Sequence, residues 1–306
     1  MKLIGENIHI MSKRVREALV NRDESFIIDL INKQNQMDCI DLNVGPAKGE
    51  FEGVIPWLVG LVENNSKLNI SFDTTNSSEM KKGLDICKNC SDSFINSASC
   101  DYERLESMTD LASEYKTNII GLTLSSKTGI PKTSDGRFEL ALEIYETCMM
   151  KEIPNEKIYF DPLILPVSVE QSQVMVTLNT IKILKESFEP ACKTVVGLSN
   201  ISNGSPKDLR PLINRTYLSL AYGAGLDCAI IDACDDSLIH TIKMLESGSP
   251  TTKADELLLN LSKITSDFAD IDDISYDKND KTSSDIYRAA LVLLNKEIYS
   301  HSFTQV

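Results

Sequence analysis

An eightfold β/α (TIM) barrel, an α/β fold, is the architecture this chain encodes, with an acidic insertion before the last helix. Two observations point to it. A cadence of β-branched run, polar loop and helical pattern repeats along the whole chain. The core is also aliphatic: 42% of the 306 residues are hydrophobic but only 6% are aromatic, as expected of parallel strands rich in Val, Ile and Leu. Eight strands are expected at Leu3–Ile8, Cys39–Val44, Asn69–Asp73, Phe94–Ser97, Asn118–Leu124, Lys157–Asp161, Lys193–Leu198 and Asp227–Asp232. Their starts lie roughly 24–39 residues apart, which leaves room for one crossover helix each. Eight such units in series favour a closed parallel barrel in one domain spanning 1–306.

The segments between strands carry helical spacing. Val54, Trp57, Leu58 and Leu61 follow the i, i+3, i+4, i+7 pattern of one apolar face. Leu105, Met108, Ala112 and Tyr115 repeat it, as do Phe138, Leu142, Tyr145 and Met149, then Val174, Leu178, Ile181, Leu184 and Phe188. Ser134-Asp135 and Asp235-Asp236 stand where helix N-caps are wanted. Residues 251–285 break the cadence, with nine acidic residues against four lysines, a net −5. The second half of this stretch, including Asp267-Phe268-Ala269-Asp270, reads as an exposed loop inserted in the last αβ turn, with a helix resuming near Ile286. A docking element is the sharper alternative.

Net charge is −14, and no Lys/Arg cluster offsets it. Nucleic acid and anionic membranes are therefore poor partners. No stretch approaches the ~18 apolar residues of a membrane span, and charge arrives too early at Met1-Lys2-Leu3-Ile4-Gly5-Glu6 for a secretory leader. Eight irregularly spaced cysteines suggest no disulfide framework. A cytoplasmic protein is expected.

In β/α barrels the chemistry lies at the C-terminal ends of the strands. The polar residues there are Glu6, Asn7, Asn43, Asp73, Asn96, Ser125, Asp161, Asn200 and Asp232, expected to converge from all eight strands. Of three histidines, only His9 falls near the mouth, so no metal site is expected. Cys87-Lys88-Asn89-Cys90 has CxxC spacing without a second pair, and reads as two ordinary thiols at a helix end. Lys127 follows its strand in a loop and faces solvent rather than serving as a Schiff-base lysine. Gly223-Ala224-Gly225 reads as a helix C-cap. A carboxylate accepts two parallel N–H bonds, and Asn both donates and accepts. Together they suit a 2-amino-4-oxo pyrimidine edge, which guanine and pterins share. An N-cap role competes for Asp73. It competes less for Asp161, because Pro162 has no N–H to return.

Several motifs then occur in order: Asp41-Leu42-Asn43-Val44-Gly45-Pro46, Asp73-Thr74-Thr75-Asn76, Ile95-Asn96-Ser97, Lys127-Thr128-Gly129-Ile130-Pro131, Asp161-Pro162-Leu163-Ile164-Leu165-Pro166, Gly197-Leu198-Ser199-Asn200-Ile201-Ser202, Arg210-Pro211-Leu212-Ile213-Asn214-Arg215 and Asp232-Ala233-Cys234-Asp235. The chain thereby resembles the pterin-binding methyltransferases. Within them it is most similar to the methyltetrahydrofolate:corrinoid/iron–sulfur protein methyltransferases of the acetyl-CoA pathway. The resemblance covers about 1–242 and resumes near 291–303. It implies a homodimer that takes the methyl group of 5-methyltetrahydrofolate and passes it to a corrinoid carried by a separate corrinoid/iron–sulfur protein. It implies that Asp73, Asn96 and Asp161 bind the pterin edge and that Gly197 and Ser199 contact the ring. Asn200 then reaches the methylated nitrogen, with Asp161 as the second catalytic residue through water. Asn203 and Arg210 stand at ligand-contacting positions, although Asn203 replaces an expected Gln. Glu6-Asn7-Ile8-His9 replaces a Glu-Arg-Ile-Asn pattern. A dihydropteroate-synthase-like enzyme and a non-catalytic folate-binding subunit are the alternatives.

Overall fold

The computed structural model describes residues 1–267 and 269–305, so Phe268 of the acidic run lies outside the described residues. Eight parallel strands run in order: β1 (Lys2–His9), β2 (Cys39–Gly45), β3 (Asn69–Thr74), β4 (Phe94–Ser99), β5 (Asn118–Leu122), β6 (Ile158–Asp161), β7 (Lys193–Gly197) and β8 (Cys228–Ile231). Each pairs with the next, and β8 closes on β1 through registers such as Ile4 with Ile230. Helices α1 (Lys13–Asn21) and α2 (Glu24–Lys33) follow β1. Then α3 (Val54–Asn65), α4 (Ser77–Leu84), α5 (Tyr102–Tyr115), α6 (Ser134–Met150), α7 (Gln173–Glu186) and α8 (Arg210–Gly223) fill the crossovers in turn. Three helices follow β8: α9 (Asp236–Ser247), α10 (Lys253–Asp267) and α11 (Lys281–Leu293). The expected eightfold barrel is therefore the observed one. Among the described residues, no helix is long and apolar enough to cross a membrane.

Local chemistry explains most boundaries. Asp235 caps α9 as expected, accepting from the Leu238 amide at 3.0 Å. The cap of α6 is Thr133, one residue ahead of the expected pair, because its hydroxyl reaches the Gly136 amide. On α6 the buried face is Arg137, Ala141, Ile144 and Cys148, whereas Phe138, Leu142, Tyr145 and Met149 are only partly buried beside it. The helix was legible there, but the deepest face is set by small residues and by a buried arginine.

The acidic segment is in part as read: over 269–280 its second half is the mostly exposed loop expected from the sequence. Among the described residues no strand follows β8, so the segment joins helices rather than sitting in an αβ turn. Its first half is α10, which buries Leu257, Leu258 and Leu261. Gly223 shows how tightly α10 packs on α8, since a Cβ there would lie 1.9 Å from the Ser262 carbonyl oxygen. The second half folds back through a 3₁₀ turn at Ile271–Asp273, with Ile271 buried. Helix α11 starts at Lys281 rather than near Ile286, because Asp280 caps it through the Ser283 amide at 2.8 Å. Much of the acid is spent on caps and on pairs such as Lys281–Asp285 at 2.7 Å.

Inside the barrel, Ile4, Cys39, Phe94, Ile120, Tyr159, Val195 and Cys228 plug the end where the strands begin. Above that apolar plug the inward positions turn polar.

Candidate active site

The polar layer opens into a cavity of about 570 Å³ at the C-terminal ends of the strands. Its wall includes Glu6, Asp41, Asn43, Asp73, Asn96 and Asp161. Gly197, Ser199, Asn200 and Asn203 join from β7 and the 3₁₀ turn after it. Seven of the eight residues singled out from the sequence thus come together. Arg210 is not among the lining residues. It begins α8, and its Nε donates to the Ser205 carbonyl at 3.0 Å.

Convergence from all eight strands is not what the structure has. At β5 and β8 the lining side chains are Leu122 and Ile230. Asn7 is absent from the cavity wall and sits toward β8, in the stretch between Gly5 and Ile8 where the β1–β2 register shifts. There it donates to Asp232 at 2.6 Å and accepts from the Ala233 amide, tying the ends of β1 and β8 together. Ser125 instead closes a tight loop with Gly129. Polar strand ends therefore divide into those that face the cavity and those that fasten loops.

Asp73 is not a helix cap. Asn76 does that work for α4, accepting from the Glu79 amide at 3.2 Å, which frees the Asp73 carboxylate for the cavity. Asp73 accepts from Asn43 Nδ2 at 2.5 Å and is matched in register with Asn96. Beneath it lies Asp41, bonded by Ser71 Oγ at 2.6 Å and Asn96 Nδ2 at 3.3 Å. Burial pushes Asp41 well above the ordinary carboxylate range, and the neighbouring Asp73 pushes it further. Asp73 itself is pushed to about 6 by burial, opposed by the Asp41 hydrogen bond, Arg104 and Asn43. At neutral pH the pair therefore shares one proton and carries one charge, with the proton on the more strongly raised Asp41 side.

Two further carboxyls are raised. Burial takes Glu6 to about 7 against the lowering bond from Ser199. Burial also takes Asp161 to about 7, opposed by the Leu163 amide and by Arg137. The Leu163 amide donates to Asp161 at 2.7 Å, as Pro162 cannot. Leu163 has φ +65°, a left-handed conformation costing a branched residue about 1 kcal/mol or more. Arg137, fully buried on α6, holds it there. Its guanidinium donates to the Pro162 and Leu163 carbonyls at 2.7 and 2.9 Å. It also binds Pro131 O, Thr177 Oγ1 and Gln173 Oε1. One buried cation therefore fixes the loop that presents Asp161.

Sequence reasoning missed Asp41, Arg104 and Arg137 as site residues. Asp41 was findable, because it lies two residues before Asn43 and so shares its inward face. Arg104 was not, since it reaches the cavity from α5. It grips Ser97 through the carbonyl at 2.8 Å and the hydroxyl at 3.1 Å. His9 lines the rim, and burial lowers its pKa, so it is neutral at pH 7.

Known proteins resemble this chain in sequence or in fold. A methylcorrinoid:tetrahydrofolate methyltransferase of Eubacterium limosum is 24% identical over 79% of this chain and 89% of its own. A methionine synthase of Mycobacterium leprae is 26% identical over 76% of this chain, but the match covers only 20% of that much longer protein. Among solved structures, a dihydropteroate synthase of Xanthomonas albilineans with 4-aminobenzoic acid superposes with a TM-score of 0.58. It is 12% identical and covers 82% of this chain and 94% of that one. The Yersinia pestis dihydropteroate synthase gives 0.54 at 13% identity over 81% and 92%. At such identities the likeness is one of fold. A family model described as "Pterin binding enzyme" matches residues 27–232, from α2 to the end of the last barrel strand, and the chain belongs to that pterin-binding enzyme family.

Proposed function

We propose that this protein moves a methyl group between 5-methyltetrahydrofolate and the cobalt(I) of a corrinoid carried by a corrinoid/iron–sulfur protein. The observation that carries the reading is the cavity wall itself. Carboxylates and carboxamides from β3, β4 and β6 face the turn that bears Asn200. The 24% identical relative, named for the same exchange, adds support. In this reading Asp73, Asn96 and Asp161 bind the 2-amino-4-oxo edge of the pterin, and Gly197, Ser199 and Asn203 border its ring. Asp161 accepts N–H bonds best when ionised, and Arg137 helps it to be so. Arg210 takes part only by releasing Ser205. The corrinoid supplies a strong nucleophile. The chain's own task is to orient the methyl group and to place a proton near the nitrogen it leaves. Asn200 and Asp161 are the residues we assign to that task.

A synthase releasing diphosphate needs several cations at the mouth. Among the described lining residues Arg104 is the one Lys or Arg, and it is already engaged by Ser97. The homodimer, the iron–sulfur character of the partner and the cytoplasmic setting follow from the resemblance.

The test is anaerobic rapid mixing of this protein with 5-methyltetrahydrofolate and a photoreduced corrinoid/iron–sulfur protein, following the cobalt(I) absorbance. Catalysed loss of that absorbance is expected. Tight folate binding by calorimetry with no catalysed loss would leave a folate-binding subunit in its place.

A further inference from the structure

We propose that Cys87 and Cys90 form a dithiol site that reacts with small disulfides and closes into an intramolecular disulfide. The pair lies outside the cavity, at the opposite end of the barrel. Cys87 follows α4, and Cys90 opens the 3₁₀ turn Cys90–Asp92 that leads into β4. Cys87 borders a small hollow of about 80 Å³ with Asn69, Ile70 and Ser93, where β3 and β4 begin. The inference is independent of the folate reading.

Geometry singles the pair out. Both residues are partly exposed, and Cys90 turns back toward the backbone of Cys87. Cys90 Sγ donates to the Cys87 and Leu84 carbonyls, each at 3.4 Å. Ser93 Oγ lies 4.0 Å from Cys87 Sγ. Cys90 thus reaches the backbone of Cys87 itself, and the contact with its neighbouring thiol, together with the Asn89 amide, draws the Cys87 thiol down to about 7. The same contact holds Cys90 protonated. This is the division of labour a dithiol needs: one thiolate to attack and one thiol to resolve. The other cysteines differ. Cys39, Cys100, Cys148, Cys192 and Cys228 are buried, and burial raises each of them. Cys234 is exposed, but burial of its sulfur and Asp232 raise it too. Among the described residues no group of three or more His, Cys, Asp or Glu side chains could hold a metal ion, so the pair has no third metal ligand.

The chemistry balances without further reagents. The Cys87 thiolate attacks one sulfur of a disulfide RSSR, forming a mixed disulfide and releasing RS⁻, which takes up a proton. Cys90 then loses its proton and attacks the Cys87 sulfur. The protein disulfide forms, and the second RSH leaves. Two protein thiols are oxidised, and one small disulfide is reduced to two thiols.

The experiment uses the reduced full chain and glutathione disulfide at pH 7. Samples are quenched with iodoacetamide and read by intact mass and peptide mapping. Wild type is expected to lose two hydrogens, with Cys87 and Cys90 linked. Cys90→Ser is expected to stop at a single glutathione adduct on Cys87, and Cys87→Ser to show neither product at these positions. Thiolate fraction outweighs the lower nucleophilicity of a more acidic thiol, so Cys87 should react roughly ten-fold faster than Cys234. Three results would overturn the proposal: faster modification of Cys234, a wild-type adduct on Cys87 that leaves Cys90 free to alkylate, or no reaction at either cysteine.

Discussion

Ser199 donates its hydroxyl hydrogen to the carboxylate of Glu6, joining the turn after β7 to β1 across the mouth of the barrel. The bond lowers the Glu6 pKa, yet burial wins and leaves it at about 7. A carboxyl poised there can hold a proton and feed it, through Ser199, into the network of Asn200 and Asp161 to which the proton transfer is assigned. In the direction that removes the methyl group from folate, the leaving nitrogen needs that proton. The rate should therefore fall as pH rises through about 7. Glu6→Gln cannot release a proton. It should cost about 10²-fold below pH 7 and abolish the limb, while folate affinity changes little. Single-turnover rates from pH 5.5 to 8.5 in both variants check this. An unchanged limb in Glu6→Gln would assign it to Asp161 or Asp73 instead.

Asp161 makes an opposite pair of demands on binding and stability. Its folded pKa, about 7, lies above the ordinary value of 3.8. The folded state thus keeps a proton that the unfolded chain loses, and stability falls as pH rises from about 4 to about 7. Asn mimics the protonated acid. Asp161→Asn should accordingly match wild type near pH 4.5 and exceed it at pH 8, by about 1–3 kcal/mol. Folate binding should show the reverse dependence. Wild-type affinity should weaken toward ten-fold per pH unit below about 7, and Asp161→Asn should bind poorly at any pH. Thermal melts and calorimetric titrations at the two pH values decide. Equal stability of the variants at pH 8 would mean that the carboxyl is not held protonated by burial.

How far the sequence carried is clearest at these residues. Every strand was legible because parallel strands buried on both faces read as dense β-branched runs. Asp73, Asn96 and Asp161 were legible because strand ends are where barrels place their chemistry. The inward side chains at β5 and β8, Leu122 and Ile230, were not, since a polar residue just beyond a strand can as easily fasten a loop. Asn7 and Asp232 do that to each other. Arg104 and Arg137 carry no strand-end signal at all. Both reach the site from helices, and only the fold brings them there. In the acidic segment the exposed second half was legible from its charge, but the helix of the first half was not read. Its leucines on α10, with helical spacing, were the better guide.

Gly197 offers a test of Asn200 that leaves Asn200 itself in place. The Gly197 backbone is ordinary, with φ −77°, so alanine fits it without strain. Its Cβ, however, would lie 3.0 Å from Asn200 Nδ2, closer than such contacts normally come. The carboxamide must give way, and it already shares a 3.3 Å bond with Asn203. Gly197→Ala should keep the melting temperature within a few degrees and slow methyl transfer by about 10-fold or more, the cost of misplacing a group by less than an ångström. Asn200→Ala should be at least as slow. If Gly197→Ala transfers at the wild-type rate while Asn200→Ala is impaired, the carboxamide acts from a position other than the one over Gly197.

The rim of the mouth bears on how the partner is met. Met11 lines the cavity edge after β1 and is 78% exposed. Tyr102, at the start of α5, is 79% exposed, and Val169, between β6 and α7, is 77% exposed. Ile298 is 89% exposed and stands near the connection that carries Val169, because Gln171 of that β6–α7 connection binds the Glu297 carbonyl and the Tyr299 amide. Large side chains left this open on the catalytic face of a barrel suit a surface that another protein covers. Acidic substitutions there (Met11→Glu, Tyr102→Glu, Val169→Glu, Ile298→Glu) remove no packing and should spare the fold. They should weaken transfer to a protein-bound corrinoid, each by about 10-fold, with the loss in KM. Transfer to free cobalamin, which needs no protein surface, should be unchanged. Steady-state kinetics with the two acceptors separate the effects. Equal losses with both would place these side chains in folate or corrinoid binding rather than in docking.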